Sequence, residues 1–259
     1  MRVMSPRIRV TRLGQSGFRL AVESTVIFVD PYLSDSVERA EGPSFRRLLP
    51  LPLAPSSITD ASAVLVSHIH RDHCDHDTLL PLARSSPQCC FLGPRVVIES
   101  LRAAGIEPAR TVVLNVDPVR LSGDVVVHPI PAAHTEIETD DAGFLRYLGF
   151  VLACGPKRLL HTGDSCVHES IVARVREIGP IDVAFLPVNE CNYYRHQAGI
   201  VGNMSVRDAF RLAEELPAKV VVPMHHDMFA PNQTYAEEIQ LIYDKTQPSF
   251  QLVFDPREI

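Results

Sequence analysis

Ala63-Val64-Leu65-Val66-Ser67-His68-Ile69-His70-Arg71-Asp72-His73 is the stretch on which the reading of this chain turns. Its first four residues are an apolar run, which reads as a buried strand. The next seven place three imidazoles and a carboxylate within six positions. A buried strand that ends in His-x-His-x-Asp-His is a poor packing element and a good metal cradle. Imidazole with carboxylate suits Zn²⁺, Mn²⁺ or Fe²⁺. The chain has 11 histidines in 259 residues, so three at this spacing are not expected by chance.

Working outward, composition bounds the class. Hydrophobic residues make up 46% and charged residues 22% of the chain, the ordinary balance of a globular domain with a real core. A net charge of −6 disfavours nucleic acid as a partner, which calls for a basic face. No apolar stretch approaches the ~20 residues of a membrane span. The N-terminal Met1-Arg2-Val3-Met4-Ser5-Pro6-Arg7 is followed by no apolar leader segment. Six cysteines without a C-x-x-C pair read as free thiols of a reducing compartment, hence a cytoplasmic protein. Cys74 and Cys166 neighbour proposed ligands and are expected to line the site rather than to ligate.

Before the histidine string, Ile8 to Leu13 and Phe18 to Val22 read as strands around a Gly14-Gln15-Ser16-Gly17 turn, with a third strand, Val26 to Val29, ending at Asp30-Pro31. Residues 34–60 form a long loop rich in Pro, Ser and charge, placed to cover a site. After the string come a helix (Thr78 to Arg84), a strand (Cys89 to Leu92), a helix (Pro94 to Ala104) and strands Thr111 to Leu114 and Val125 to Ile130. Strands Tyr147 to Ala153 and Arg158 to His161 follow, joined by Gly155-Pro156. Then helix Val167 to Ile178, strand Asp182 to Leu186, helix Ser205 to Leu216 with Ser205 and Asp208 as a capping box, strand Lys219 to Val222, helix Tyr235 to Lys245 and strand Phe250 to Phe254. Strands come first and then alternate with helices. This predicts one α/β (α+β) domain over 1–259, in two αβ halves of approximately 1–145 and 146–259.

Four of these strands run into metal-competent groups: 63–67 into His68, His70, Asp72 and His73; 125–130 into His134; 158–161 into Asp164; and 219–222 into His225 and His226. Ligands from several strand ends need a rigid frame, and two packed sheets would bring these ends to one rim. The order H-x-H-x-D-H, H, D, H resembles the metallo-β-lactamase superfamily of hydrolases over nearly the whole chain. The resemblance implies an αββα four-layer sandwich, two mixed sheets face to face with helices outside and metals at one edge. It also implies a first divalent ion on His68, His70 and His134, a second on Asp72, His73 and His225, and Asp164 between them. His225 and His226 compete for the last ligand position. The pattern favours His225, leaving His226 as a catalytic or supporting group. Asp72 is expected to orient the nucleophile as well as to bind metal. Asp30 reads either as an anchor for a ligand histidine or as a turn residue before Pro31.

Within the superfamily, Ser67 to Asp75, Phe91-Leu92-Gly93-Pro94, His161-Thr162-Gly163-Asp164-Ser165 and Pro223-Met224-His225-His226-Asp227 resemble the L-ascorbate-6-phosphate lactonase-like branch. A lactonase of that branch need not carry the histidine at position 134. The resemblance implies one or two Zn²⁺ or Mn²⁺ ions, which lower the pKa of bound water and polarise the oxygen under attack. It implies the opening of a lactone in a small, anionic, sugar- or sugar-phosphate-like substrate, and a homo-oligomer. A phosphodiesterase acting on a small or cyclic phosphodiester is the alternative. Only about sixty residues separate Asp164 from His225, too few for the inserted cap domain of the RNA-processing nucleases. His70 stands where diiron members carry Glu, and every ligand position is filled, which disfavours a redox protein or an inert scaffold. For substrate binding the segment Val188 to Asn203 is the candidate loop, with Asn189, Tyr193, Tyr194, Arg195 and Asn203 as contacts and Arg195 as the anion holder. Arg71 is the second positive candidate, with Arg146 and Tyr147 weaker ones.

Overall fold

The computed structural model describes residues 6–121 and 124–258. Met1 to Ser5, which open the stretch read above for a leader, lie outside the described residues. Strands β1 (Ile8–Gly14), β2 (Gly17–Val22) and β3 (Thr25–Val29) form an antiparallel meander. After α1 (Ser36–Glu41) the chain enters the middle of the same sheet as β4 (Ala63–Leu65), parallel to β3. Helices α2 (His76–Ser85) and α3 (Arg95–Ala103) then alternate with parallel strands β5 (Cys90–Gly93) and β6 (Thr111–Val113). The second sheet opens with antiparallel β7 (Val119–Arg120), β8 (Val125–Pro131), β9 (Leu148–Cys154) and β10 (Lys157–His161). It continues through α4 (Glu169–Ile178), β11 (Val183–Pro187), α5 (Tyr193–Gln197), α6 (Val206–Glu215), β12 (Val220–Met224), α7 (Ala236–Thr246) and β13 (Gln251–Leu252), with β10 to β13 parallel. Among the described residues the sheets have six and seven strands, each in simple sequence order across the sheet.

Side-chain alternation makes this a four-layer sandwich. In β4, Ala63 and Leu65 point into the cluster between the sheets, while Val64 and the following Val66 point outward onto Leu79, Leu82, Val97 and Leu101 of α2 and α3. In β11, Val183 and Phe185 face inward, and Ala184 and Leu186 face Ile171, Ala209, Phe210 and Ile239 of α4, α6 and α7. Strands covered on both faces have no polar side to show, which is why they read as continuous apolar runs. The two sheets meet where the Phe18 and Phe185 rings lie 4.4 Å apart. The expected αββα architecture is therefore present. No helix among the described residues is long and apolar enough to cross a membrane.

Differences from the sequence reading fall where the periodic signal is weak. The segment 34–60 holds α1 and two short 3₁₀ turns, at Pro43–Phe45 and Pro55–Ser57. α1 buries only Ser36 and Val37, so its sequence shows no 3.6-residue apolar repeat. α5 buries none of its residues, and its sequence lacks an apolar repeat for the same reason. β7 is a two-residue edge strand, and β13 is shorter than the Phe250 to Phe254 run. The Ser205 cap of α6 is as expected, its hydroxyl accepting from Asp208 N at 3.1 Å.

One glycine links the fold to the site. Gly163, between β10 and Asp164, has φ +62°, and a Cβ there would lie 2.5 Å from Leu148 O and 3.0 Å from Ser67 Cβ. Left-handed backbone at a non-glycine residue costs about 1–3 kcal/mol before the clash is counted. Gly163→Ala should therefore lower the urea midpoint by at least that much free energy with an unchanged m value.

Candidate metal centre

The C-terminal ends of β3, β4, β8, β10 and β12 converge on one rim. Asp30 follows β3 and is fully buried. Its Oδ1 accepts from Ser67 N at 2.7 Å, and its Oδ2 accepts from Ser67 Oγ at 2.6 Å and contacts His73 Nδ1 at 2.8 Å. Of the two readings of Asp30, the anchor is the one the geometry supports: with its proton held on Nδ1, His73 turns Nε2 toward the cluster. Ser67 O accepts from Leu148 N at 3.0 Å, joining the histidine string to the second sheet.

Three groups of side chains bring their ligand atoms within 4.8 Å of one another: His68, His70 and His134; His68, His73 and Asp164; and Asp72, His73 and His225. All seven residues expected as ligands are thus together. Asp164 groups with His68 and His73, its Oδ1 3.3 Å from His73 Nε2 and its Oδ2 3.1 Å from His225 Nε2. His73 Nε2, both ring nitrogens of His134 and Asp164 Oδ1 are buried without a hydrogen-bond partner. Unsatisfied buried polar atoms are costly, and His73, His134 and Asp164, each able to offer one of these atoms, are donors that could hold a divalent ion. Cys74 and Cys166 join none of these groups.

Charge divides the cluster in two. Burial holds His68 well below the ordinary imidazole value, with His73 adding to the effect, and burial lowers His134 as well. His73 and His225 go the other way. Burial opposes their charge, but Asp164 and Asp72 outweigh it, joined by Asp30 at His73, so His73 is raised well above 6.5 and His225 to about 9. Burial likewise opposes ionisation of Asp72 and Asp164, yet the facing His73 and His225 hold both carboxyls well below 3.8. Without metal, protons on two histidines balance the two carboxylates.

The sequence reading missed two participants. Gln15, in the β1–β2 turn at φ +55°, donates from Nε2 to Asp72 Oδ2 at 2.7 Å and lies 2.9 Å from His225 Nε2. Its carbonyl accepts from His225 N at 3.1 Å, and His225 itself has φ +58°. The turn was recognised; its side chain carried no periodic or spacing signal. Asn232 places Nδ2 3.2 Å from His225 Nδ1 and continues a buried amide chain, Asn189 Nδ2 to Asn232 Oδ1 at 2.8 Å and Asn203 Nδ2 to Asn189 Oδ1 at 2.9 Å. Half-turns of the three amides reverse this chain. Asn232 Oδ1 then accepts from an Nδ1–H of His225, and Asn203 Oδ1 accepts from Asn189 Nδ2.

A cavity of about 310 Å³ opens over the cluster, with His70, Asp72, His134, Asp164 and His225 in its floor and Val37, Glu41, Phe45, Arg71, Ile200 and Phe229 among its walls. Segment 34–60 is a docked wall: Phe45 and Tyr32 each pack 5.8 Å from the Phe229 ring, and Leu48 N donates to Met228 O at 2.8 Å. The five expected substrate contacts do not line the cavity. Asn189 and Asn203 are buried in the amide chain. Tyr193 and Tyr194 are 70% and 82% exposed. Arg195 clamps its own loop through Glu190 O and Gln233 O at 3.0 and 2.8 Å. The same loop instead contributes Gly199, Ile200 and Val201. Nor does His226 reach the cavity. Its Nδ1 is bonded to Thr234 O at 2.9 Å and its ring lies against Phe254, because the chain turns at His225 and sends successive side chains to opposite sides. Tyr147 stands beside the first triad, 5.1 Å from the His134 ring.

Two outcomes follow from the charge arrangement. His73 and His225 add stability that is complete below pH 6.5 and lost as pH rises above it, for His225 through about 9. Asp72 and Asp164 add stability that is present above 3.8 and lost as pH falls below it. His68 and His134, held neutral by burial, cost stability as pH falls below 6.5, so urea denaturation of chelator-treated protein should peak near about pH 6.5. Asp30→Ala strips the His73 imidazolium and two Ser67 donors of their acceptor and should cost that protein about 3–5 kcal/mol; an unchanged midpoint would remove Asp30 as the anchor.

Comparison with known proteins agrees with this geometry. The sequence profile of the beta-lactamase superfamily domain matches residues 25–226. The probable L-ascorbate-6-phosphate lactonase UlaG of Salmonella paratyphi B is 27% identical over 223 residues, which is 81% of this chain and 61% of that protein, so the chain spans about three-fifths of the relative's length. Igni18, a metallo hydrolase of the archaeon Ignicoccus hospitalis, superposes with TM-score 0.69 at 20% identity, covering 98% of this chain and 97% of its own. The metallo-beta-lactamase fold protein YhfI of Bacillus subtilis gives 0.67 at 18% identity, with 99% and 98% covered. With the family profile matched from β3 to His226 and the ligand-bearing strand ends in its frame, the chain belongs to the beta-lactamase superfamily and has the metallo-β-lactamase fold.

Proposed function

We propose that this chain is a metal-dependent hydrolase that opens a lactone ring, starting from the sugar- or sugar-phosphate-like substrates to which its resemblance points. The observation that carries the reading is the cluster in the cavity floor, where buried, unpaired imidazole and carboxylate atoms face a space large enough for a small molecule. A larger hollow of about 510 Å³, lined by Ser62, Gln88, Cys90, Leu92 and Val112 among others, contains no histidine and so lacks this chemistry. His68, His70 and His134 would hold one divalent ion, Zn²⁺ or Mn²⁺; Asp72, His73 and His225 would hold a second, with Asp164 shared. Such ions acidify bound water and polarise the carbonyl oxygen under attack.

The chain's own residues supply the rest. Asp72 Oδ2 is held by Gln15 and faces the cavity, so it can accept a hydrogen bond from the attacking water and fix its approach. Asp30 keeps the His73 proton on Nδ1. Val37, Phe45 and Phe229 exclude bulk water from one side of the reacting carbonyl. Hydrolysis of a small phosphodiester is the second reading, because the same constellation activates water against phosphorus.

The test is metal analysis of the purified protein with rate assays on a panel of lactones and bis(p-nitrophenyl) phosphate. About two divalent ions per chain with lactone turnover is the expected result. His68→Ala and Asp164→Ala should each lower the rate at least about 100-fold and reduce bound metal. Metal with phosphodiester turnover alone would move the function to the second reading, and absence of stoichiometric metal would end both. Because His225 keeps a proton up to about 9, metal affinity should rise from pH 7 to 9, with proton release visible as a buffer-dependent enthalpy in calorimetry.

A further inference from the structure

The walls of the cavity differ in kind from its floor. Val37, Phe45, Phe229, Ile200 and Val201 come from three separate segments and form a mostly apolar enclosure. Phe229 is 3% exposed and packs against the Tyr32 and Phe45 rings, each 5.8 Å away. Val201 remains 43% exposed, an apolar surface with nothing yet against it. Charge at the mouth is balanced. Asp72 and Asp164 face His73 and His225 in the floor. The other charged lining residues are Glu41 and Arg71, and among the described lining residues Arg71 is the one guanidinium or ammonium. One guanidinium in a cavity that also carries carboxylates is a weak receptor for a phosphate dianion. The two phenyl and three branched aliphatic groups of this wall offer hydroxyls no partners, the polar groups beside the floor being Glu41, Arg71 and Asn232, and polar groups left unpaired on binding cost affinity.

Resting on the lactone-hydrolase reading but replacing the sugar-like substrate class to which the resemblance points, we propose that the site takes an uncharged lactone bearing a short alkyl substituent, with the ring over the cluster and the chain on the Val37–Phe45–Phe229–Ile200–Val201 wall. The reaction is hydrolysis. Water oxygen bonds to the acyl carbon and the bond from that carbon to the ring oxygen breaks. One water proton ends on the released hydroxyl, and the other leaves to solvent as the product ionises to a hydroxy-carboxylate. A cavity of about 310 Å³, at the small end for ligand sites, limits the chain to a few carbons.

Two measurements test this. The first is kcat/KM of the metal-replete protein on γ-butyrolactone, γ-valerolactone, γ-hexalactone and γ-octalactone, with glucono-δ-lactone as the polyhydroxy comparator. The rate constant should rise about two- to fourfold per added methylene until the wall is covered, and glucono-δ-lactone should be the poorest substrate. Ile200→Ser and Val201→Ser should flatten the dependence on chain length. The second uses metal-free protein, which removes turnover from the readout. In methyl NMR spectra, γ-octalactone should shift Val37, Ile200 and Val201, and glucono-δ-lactone should not. Turnover without a chain-length dependence, or a preference for glucono-δ-lactone, would overturn the proposal and leave lactone hydrolysis standing. If no lactone is turned over, the hydrolase reading for lactones fails, and the methyl shifts alone decide whether the wall is an alkyl site: their presence upholds it and their absence overturns it.

Discussion

A single buried carboxylate ties the chemistry of this protein to its fold. Asp30 sits at the end of β3 with three short contacts, to Ser67 N, Ser67 Oγ and His73 Nδ1. A charge in that position is tolerated only when its lone pairs are used, and here each one orders a different part of the histidine string. Ser67 N fixes where β4 stops being a strand. Ser67 Oγ lies 2.9 Å from His68 Nδ1. The bond to His73 chooses the face that its free nitrogen presents. Remove the carboxylate and the string has sequence but no geometry.

The cluster it anchors is an electrostatic compromise. Imidazoles and carboxylates are packed together with little water, so each group takes its protonation from its neighbours. His68 and His134 are driven neutral by burial, while His73 and His225 are kept charged by Asp72 and Asp164. A divalent cation would replace those protons with charge of the same sign in a geometry the orphaned nitrogens already suit. The fold spends conformational strain at the same place: Asp30, His225 and Gln15 all have positive φ, and all three lie on hydrogen bonds that reach the cluster. Strain of this kind persists where the surroundings over-determine the backbone.

Around the cluster, polar chemistry and packing are assigned to different residues of the same loops. In 189–203, the amides face inward and support His225 through Asn232, Arg195 clamps the loop to Gln233, and Gly199 to Val201 form the wall. In 34–60, Val37 and Phe45 are wall residues, and Leu48 fastens the segment to Met228. The polar residues that look most suited to a substrate are thus occupied by the protein itself.

By itself the sequence determined the layers and the candidate ligand residues. Apolar runs of four to seven residues specify strands covered on both faces, and residues that terminate those runs must lie at strand ends whatever the topology. That is why His68, His70, Asp72, His73, His134, Asp164, His225 and His226 could be named together as candidates, and why the capped helix at Ser205 could be placed. Only the tertiary structure decided which way side chains off the strand ends point. His225 and His226 are adjacent, and the turn at φ +58° sends one into the cluster and the other to Thr234. Asn189, Asn203 and Arg195 are polar, and no pattern distinguishes an amide that meets a ligand from one that meets another amide. Gln15 and Asn232 lie 217 positions apart and meet at His225 through packing of the two sheets. Periodicity reports which residues are buried; it does not report what they are buried against, and the walls of this site are made of that second kind of information.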